Sequence, residues 1–164
     1  MASFETALTA YQALPAGVRS VMLSTINKNG TPHASYAPYV MDEAYRIYIF
    51  TSGLSAHTQN LLRNSQASVL LIEDEAQTQQ VFARQRITYD CQVALLERGT
   101  PVWEAIAEQF EQRFGQIIQM LRQLEDFQIF GLSPYGGRFV MGFGAAFEVD
   151  ANDLSQLVPE AIKT

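Results

Sequence analysis

Hydrophobic and polar residues alternate most cleanly over residues 84–97, RQRITYDCQVALLE. Ile87, Tyr89, Cys91, Val93 and Leu95 fall on one face, and Arg84, Arg86, Thr88, Asp90 and Gln92 on the other, because side chains switch faces at every residue of a strand. The pattern predicts a strand half in a core, with Cys91 a small buried hydrophobe. Residues 18–27 (VRSVMLSTIN) read as a strand that is apolar on both faces, with Val21 and Leu23 on one and Val18, Met22 and Ile26 on the other. Asn29-Gly30 is a strong hairpin signal, and residues 32–41 return as a second strand. Pro38 cannot donate to a ladder and so marks an edge or bulge there. Residues 45–51 (YRIYIFT) and 67–73 (ASVLLIE) make two more strands, with a short helix from about Ser55 to Arg63 between them.

A helix over residues 4–14, stopped by Pro15, precedes the strands. A single long helix over 101–124 follows them, with Trp103, Ala107, Phe110, Phe114, Ile117 and Leu121 at helical spacing. Residues 127–132 and 138–149 predict a last hairpin about Gly136-Gly137. Gly142 and Gly144 in its second arm suggest close approach of a backbone or ligand. Residues 151–161 read as a small terminal helix. Hairpin-linked strands with one long late helix predict a mainly β fold, a closed antiparallel β-barrel with peripheral helices, and not a doubly wound nucleotide-binding sheet. The organisation expected is one domain over 1–164: an N-terminal helix (1–16), a barrel with inserted helices (17–150) and a C-terminal tail (151–164).

Length and composition agree with this and close several functional doors. The chain has 164 residues, 48% of them hydrophobic, enough for one full core. Seventeen acidic against eleven basic residues give a net charge of −6, the wrong sign for nonspecific nucleic-acid binding. No apolar run approaches about 20 residues, so no membrane partner is expected. The N-terminus lacks the basic start of a secretory signal, so the expected compartment is cytoplasmic. The one cysteine excludes an internal disulfide or a cysteine-based zinc site, and two histidines, His33 and His57, exclude a histidine-cluster metal site within one chain. No GxSxG elbow or glycine-rich phosphate loop is present.

Candidate chemistry gathers at residues 51–58, TSGLSAHT. Thr51, Ser52, Ser55 and Thr58 put hydroxyls about a helix start, and His57 adds a donor. A first helical turn has unpaired N–H groups at the positive end of the dipole, which suits an anion such as phosphate. The simpler reading of Ser55 is an N-cap. Arg84 and Arg86 offer forks for phosphate or carboxylate, or else a solvated face paired with Glu73, Asp74 or Glu75. Tyr36 and Tyr39, beside Pro38, suit stacking on a planar ring, or core and dimer contacts.

Ordered blocks across residues 17–150 carry a resemblance: NGTPHASYAPYV, HTQNLLRNSQASVLLIEDE, VFARQRITYDCQVALLER, QRFGQIIQML, LEDFQIFGLSP and GRFVMGFGAAFEV. The chain resembles the FMN-binding split barrels related to pyridoxamine-phosphate oxidase, and among them the HugZ/HutZ-type heme-utilisation proteins. That resemblance implies a six-stranded split barrel of Greek-key type and a homodimer with two cofactor clefts at the subunit interface. The implied cofactor is heme or FMN. The implied cofactor-binding residues are Thr51, Ser52, Ser55 and His57 before and in the short helix, Arg84 and Arg86 on the arginine-bearing strand, and Ser35 and Tyr36. The implied function is heme binding of the heme-utilisation type, with O2-dependent heme degradation as its enzymatic form. The alternatives are an FMN-dependent oxidoreductase and a non-catalytic heme- or flavin-binding module. Heme-degrading members are expected to bring a histidine from a C-terminal extension onto the iron. Asp126 matches the acidic position supporting it, but these residues contain no histidine after His57. That leaves His57 and His33 as the iron-ligand candidates, and each also reads as an ordinary structural or surface histidine.

Overall fold

The computed structural model describes residues 3–161, without the side chains of the last two. Four α-helices and eight strands occur among them: α1 (Phe4–Gly17), β1 (Ser20–Ile26), β2 (Pro32–Met41), β3 (Ile47–Ser52), α2 (Ala56–Arg63), β4 (Gln66–Ile72), β5 (Arg86–Leu95), α3 (Pro101–Phe114), α4 (Ile117–Arg122), β6 (Phe127–Gly142), β7 (Ala145–Val149) and β8 (Leu157–Ala161). The strands pair in the order β3-β2-β1-β4-β5-β6-β7-β8, all antiparallel. A further β3–β6 pairing closes β1 to β6 into a barrel. This is the expected closed antiparallel barrel with helices outside it.

Two cores follow from strand alternation. Val21, Leu23, Tyr39, Ile47, Ile49, Val69, Leu71, Ile87, Tyr89, Cys91, Phe130, Leu132 and Phe139 fill the barrel, with Tyr11 and Leu14 of α1 against them. Residues of opposite parity on β2, β3 and β6, namely Val40, Tyr48, Phe50 and Ile129, face outward instead. They are covered by Trp103, Ile106, Ala107 and Phe110 of α3 and Ile118 of α4. The helical spacing over 101–124 therefore is packing for Trp103, Ala107 and Phe110, with Phe114 and Leu121 part-buried against them, but Ile117 is 50% exposed and Ile118 is buried in its place. Burial pushes the Cys91 thiol up to about 12, so it stays protonated and inert.

Several sequence-based expectations are corrected. The helix over 101–124 is two helices, because Gly115 adopts φ +82 after Phe114 and its N–H caps Glu111 O at 2.8 Å. No hairpin forms at Gly136-Gly137. β6 runs straight through, with a register shift opposite Asp90/Cys91. Gly137 serves packing, since a Cβ there would lie 2.7 Å from Tyr89 Cδ1 and 2.8 Å from Thr88 O. The turn comes later, at Gly144 (φ +66). A Cβ placed on Gly142 or Gly144 would meet no atom within 4 Å, so neither marks a close approach. Residues 151–161 form no helix. Leu157 is buried in the barrel core and starts β8, which pairs with β7. Pro15 lies inside α1, and Leu95, at the end of β5, is 49% exposed and not core. Pro38 stands where β2 leaves β1 (Ser20↔Pro38) and takes up β3 (Tyr39↔Ile49), a handover that tolerates its missing N–H.

Candidate functional site

One end of the barrel is closed by polar side chains. Thr25, His33, Ser35, Thr51 and Gln128 have the inward parity of Leu23, Ala37, Ile49 and Phe130, one step beyond the apolar layers. Helix α2 lies over this end and inserts Thr58, Asn60 and Leu61, all buried. Thr58 Oγ1 donates to Thr51 Oγ1 at 2.8 Å, and Asn60 Nδ2 donates to Thr25 Oγ1 and to Asn27 Oδ1, both at 3.0 Å. These bonds satisfy polar groups that would otherwise be costly to bury. One atom is left over: Gln128 Oε1 is buried with no hydrogen-bond partner. Thr51 and Gln128 face each other across the β3–β6 pair. Nothing in the sequence singles out Gln128, one glutamine among many. Only the strand register reveals its place.

The segment leading into α2 is moulded on the turn before β6. Ser52 Oγ donates to Asp126 Oδ2 at 2.8 Å and accepts from Leu54 N–H at 3.2 Å. Gly53 N–H donates to Asp126 O at 2.7 Å, and a Cβ on Gly53 would meet that oxygen at 2.9 Å. Gln59 Nε2 donates back to Gly53 O at 2.7 Å. Ser55 occupies the N-cap position, yet its side chain makes no capping bond, and the first turn carries no acid. The hydroxyl stays available to a ligand, whereas those of Thr51 and Ser52 are engaged.

His57 Nδ1 lies 3.1 Å from Ser35 Oγ, and the Ser35 hydroxyl donates to Leu23 O at 3.5 Å. Either group can be the donor between them; with Nδ1–H donating to Ser35 Oγ, Nε2 keeps its lone pair. Burial, and then nearby His33, hold the His57 pKa below its ordinary value, so the ring is neutral at pH 7. Tyr36 is 63% exposed on the outer face, opposite Met22.

The two arginines do not converge with this segment within one copy of the chain. Arg86 pairs beside Val140, whereas Thr51 pairs beside Gln128, twelve residues away on β6, on the order of 40 Å of strand. In the other direction β4, β1 and β2 intervene. Arg84 is not on β5 at all. It ends a 3₁₀ turn, Val81–Ala83, and its guanidinium donates through Nε to Glu73 O at 2.8 Å and meets Glu75 at 3.5 Å. Arg86 donates to Arg84 O at 2.9 Å. For Arg84 the ion-paired surface reading is the one the geometry supports. A depression of about 660 Å3 between α1, β2 and α3 is lined by Tyr39 but by none of Thr51, Ser52, Ser55, His57, Arg84, Arg86, Ser35 and Tyr36. Its cation, Arg113, is occupied by Tyr39 O (3.0 Å) and Val18 O (2.6 Å).

Comparison with known proteins places this geometry. The family model described as pyridoxamine 5'-phosphate oxidase matches residues 8–141. The chain belongs to that family. It is 40% identical over 141 residues to the heme oxygenase HutZ of Vibrio cholerae, covering 85% of this chain and 79% of that protein. The crystal structure of HutZ, there termed a heme storage protein, superposes with TM-score 0.72 at 34% identity, over 81% of this chain and 91% of that one. ChuZ of Campylobacter jejuni superposes with TM-score 0.85 at 30% identity, over 98% of this chain and 65% of that one. Within the pyridoxamine 5'-phosphate oxidase family the kinship is therefore with the HutZ type, as the ordered sequence blocks imply. Among the described residues no helix is long and apolar enough to cross a membrane, and no group of three or more metal-ligating side chains occurs.

Proposed function

We propose that this protein binds heme as a member of the heme-utilisation type, in a cleft at the α2 end of the barrel that a second copy of the chain completes. The observation that carries the reading is the 40% identity, over most of both chains, to a protein named as a heme oxygenase. The local chemistry fits such a guest. Ser55 Oγ makes no capping bond, and His57 is a neutral imidazole beside Ser35 Oγ. His57 would hold the ligand, since a neutral imidazole nitrogen has the character of an iron ligand. Heme, when bound, supplies the O2 and redox chemistry.

The same reading calls for a homodimer. Met22 (46% exposed), Ile26 and Tyr36 form an apolar patch on the outer barrel face that one copy leaves uncovered. Arg86 lies far from its own α2 start, and a partner's arginine is the one able to meet a ligand's carboxylates there. We place the protein in the cytoplasm, a location compatible with a lone cysteine that has no disulfide partner in its own chain.

A second reading, FMN as the ligand, is favoured by the family match. The deciding experiment is parallel titration with hemin and with FMN. A saturable Soret band at one heme per chain supports the first reading, and saturable flavin quenching without one supports the second. Loss of the Soret band with O2 and a reductant would add heme degradation. Sedimentation at micromolar concentration should give a dimer, and a clean monomer would sink the shared cleft.

A further inference from the structure

The start of α2 combines two opposed features. It offers the positive end of an eight-residue helix, no acid in the first turn and a free Ser55 hydroxyl. Beside it, however, stands a carboxylate. Asp126 takes the Ser52 hydroxyl with Oδ2 and the Gly53 N–H with its own carbonyl, so two donors that an anion would use are already committed. Asp126 makes no ion pair among the described residues, and His57 brings no positive charge. Lys28 and Arg63 line a depression along the Ala56–Arg63 face of α2, and neither pairs with Asp126.

The carboxylate is also held in place. Arg98 donates to three carbonyls around it, those of Arg122 (2.8 Å), Leu124 (2.9 Å) and Phe127 (2.7 Å), which shapes the turn carrying Asp126. Arg98 itself lies over the Trp103 ring, 4.6 Å from the centroid. Gly53 permits the close approach from the other side. These contacts fix the backbone that carries Asp126, and Ser52 Oγ holds its exposed carboxylate beside the first turn of α2, where it meets any anion that approaches the helix start.

We propose that Asp126 is a specificity-determining residue that bars phosphate-bearing ligands from the α2 start. A phosphate monoester carries about −1.5 to −2 charges at pH 7, so it meets repulsion there and finds the Ser52 hydroxyl occupied. A ligand without phosphate escapes the penalty. The proposal deepens the heme reading, since it explains how a member of a flavin-binding family turns FMN away, but it is tested without heme.

The probes are FMN and riboflavin, which differ by the phosphate alone, titrated into the full chain by flavin fluorescence. Asp126→Asn, nearly isosteric, should bind FMN at least tenfold more tightly than wild type, about 1.4 kcal/mol, as the helix start acts unopposed. Riboflavin binding should stay within twofold. Asp126→Glu should keep FMN weak, and added salt should shrink the gain of the asparagine variant. Asp126→Ser serves as a second neutral variant should the first fold poorly, with circular dichroism as the check. The proposal is overturned if wild type binds FMN as tightly as the neutral variants, if neither variant gains FMN binding, or if riboflavin gains as much as FMN. Hemin titration of wild type reports on the heme reading separately, so the two can fail independently.

Discussion

Tyr11 and Tyr89 form a buried pair whose hydrogen-bond direction can be deduced, and it predicts an asymmetry. Their hydroxyls are 2.7 Å apart, and Tyr11 O–H also donates to Leu154 O at 2.6 Å. Tyr11 has one proton, given to Leu154, so the proton between the rings belongs to Tyr89. Tyr11→Phe therefore removes two bonds and leaves the Tyr89 donor buried with nothing to accept it. An orphaned buried donor costs about 1–3 kcal/mol, and a lost neutral bond about 1 kcal/mol more. The expected destabilisation is about 2–4 kcal/mol, with Leu154 O, only part-buried, adding little. Tyr89→Phe removes one donor and leaves Tyr11 still bonded to Leu154, for about 1 kcal/mol. In the double variant no orphan remains, so its cost should fall short of the sum by about 1–2 kcal/mol. Urea denaturation with unchanged m-values measures all three. Equal costs, or Tyr89→Phe the costlier, would show that the proton runs the other way and refute the deduction. Desolvation raises both phenol pKa values above their ordinary 10. The folded chain then holds protons that the unfolded chain releases, so this contribution is present below pH ~10 and lost as pH rises beyond it.

Gly137→Ala should destabilise by about 2–4 kcal/mol, because its Cβ would sit against Tyr89 Cδ1, Thr88 O and Val149 Cγ2. A melting temperature unchanged within a degree would mean that β6 yields where it is drawn closed. His57 should titrate below the unfolded value of about 6.5 by NMR, since burial and then His33 disfavour its charged form. Its contribution to stability is present above that value and lost as pH falls through the folded pKa. His33→Ala should move the midpoint up, and no movement would remove His33 as a cause.

Local patterns in the sequence carry the barrel far better than the connections. The alternation of β5, the Asn29-Gly30 turn (Gly30 φ +83) and the α2 boundaries all lie where hydrophobic period and turn chemistry put them. Glycine is the main source of error, since a glycine pair signals a turn only when positive φ is needed. Gly136 and Gly137 have none, and Gly137 instead makes room for Tyr89 from the next strand. Gly115, inside an unbroken apolar stripe, does have it and splits the helix. The site is half legible. Hydroxyls about a helix start can be read from TSGLSAHT, but their partners cannot, because Asp126 is 74 residues from Ser52 and comes to it through the β3–β6 register. Arg84 misleads for a similar reason: the backbone carbonyl that captures it, Glu73 O, is invisible to any pattern of side chains.

The polar end of the barrel must both close the fold and receive a ligand, and its hydrogen bonds divide these tasks. Thr51, Thr58, Asn60 and Thr25 are bonded to one another and close the barrel. Gln128 is the exception, a buried carbonyl oxygen opposite Thr51 with nothing to accept from. Such an atom lowers stability by about 1–3 kcal/mol in the ligand-free protein, a burden that a ligand bearing a hydrogen-bond donor would lift; a flavin carries such donors, whereas heme with ionised propionates carries none. Gln128→Met, of similar length without the amide, separates the two tasks. It should stabilise the ligand-free protein by about 1 kcal/mol or more in urea denaturation, while weakening a donor-bearing ligand such as riboflavin about tenfold, the equivalent of one lost hydrogen bond, and leaving hemin affinity unchanged. Thr51→Val should do the reverse, reducing stability and leaving affinity nearly unchanged. If Gln128→Met instead destabilises the free protein, the amide is already satisfied there by water, and Gln128 belongs with the residues that close the barrel.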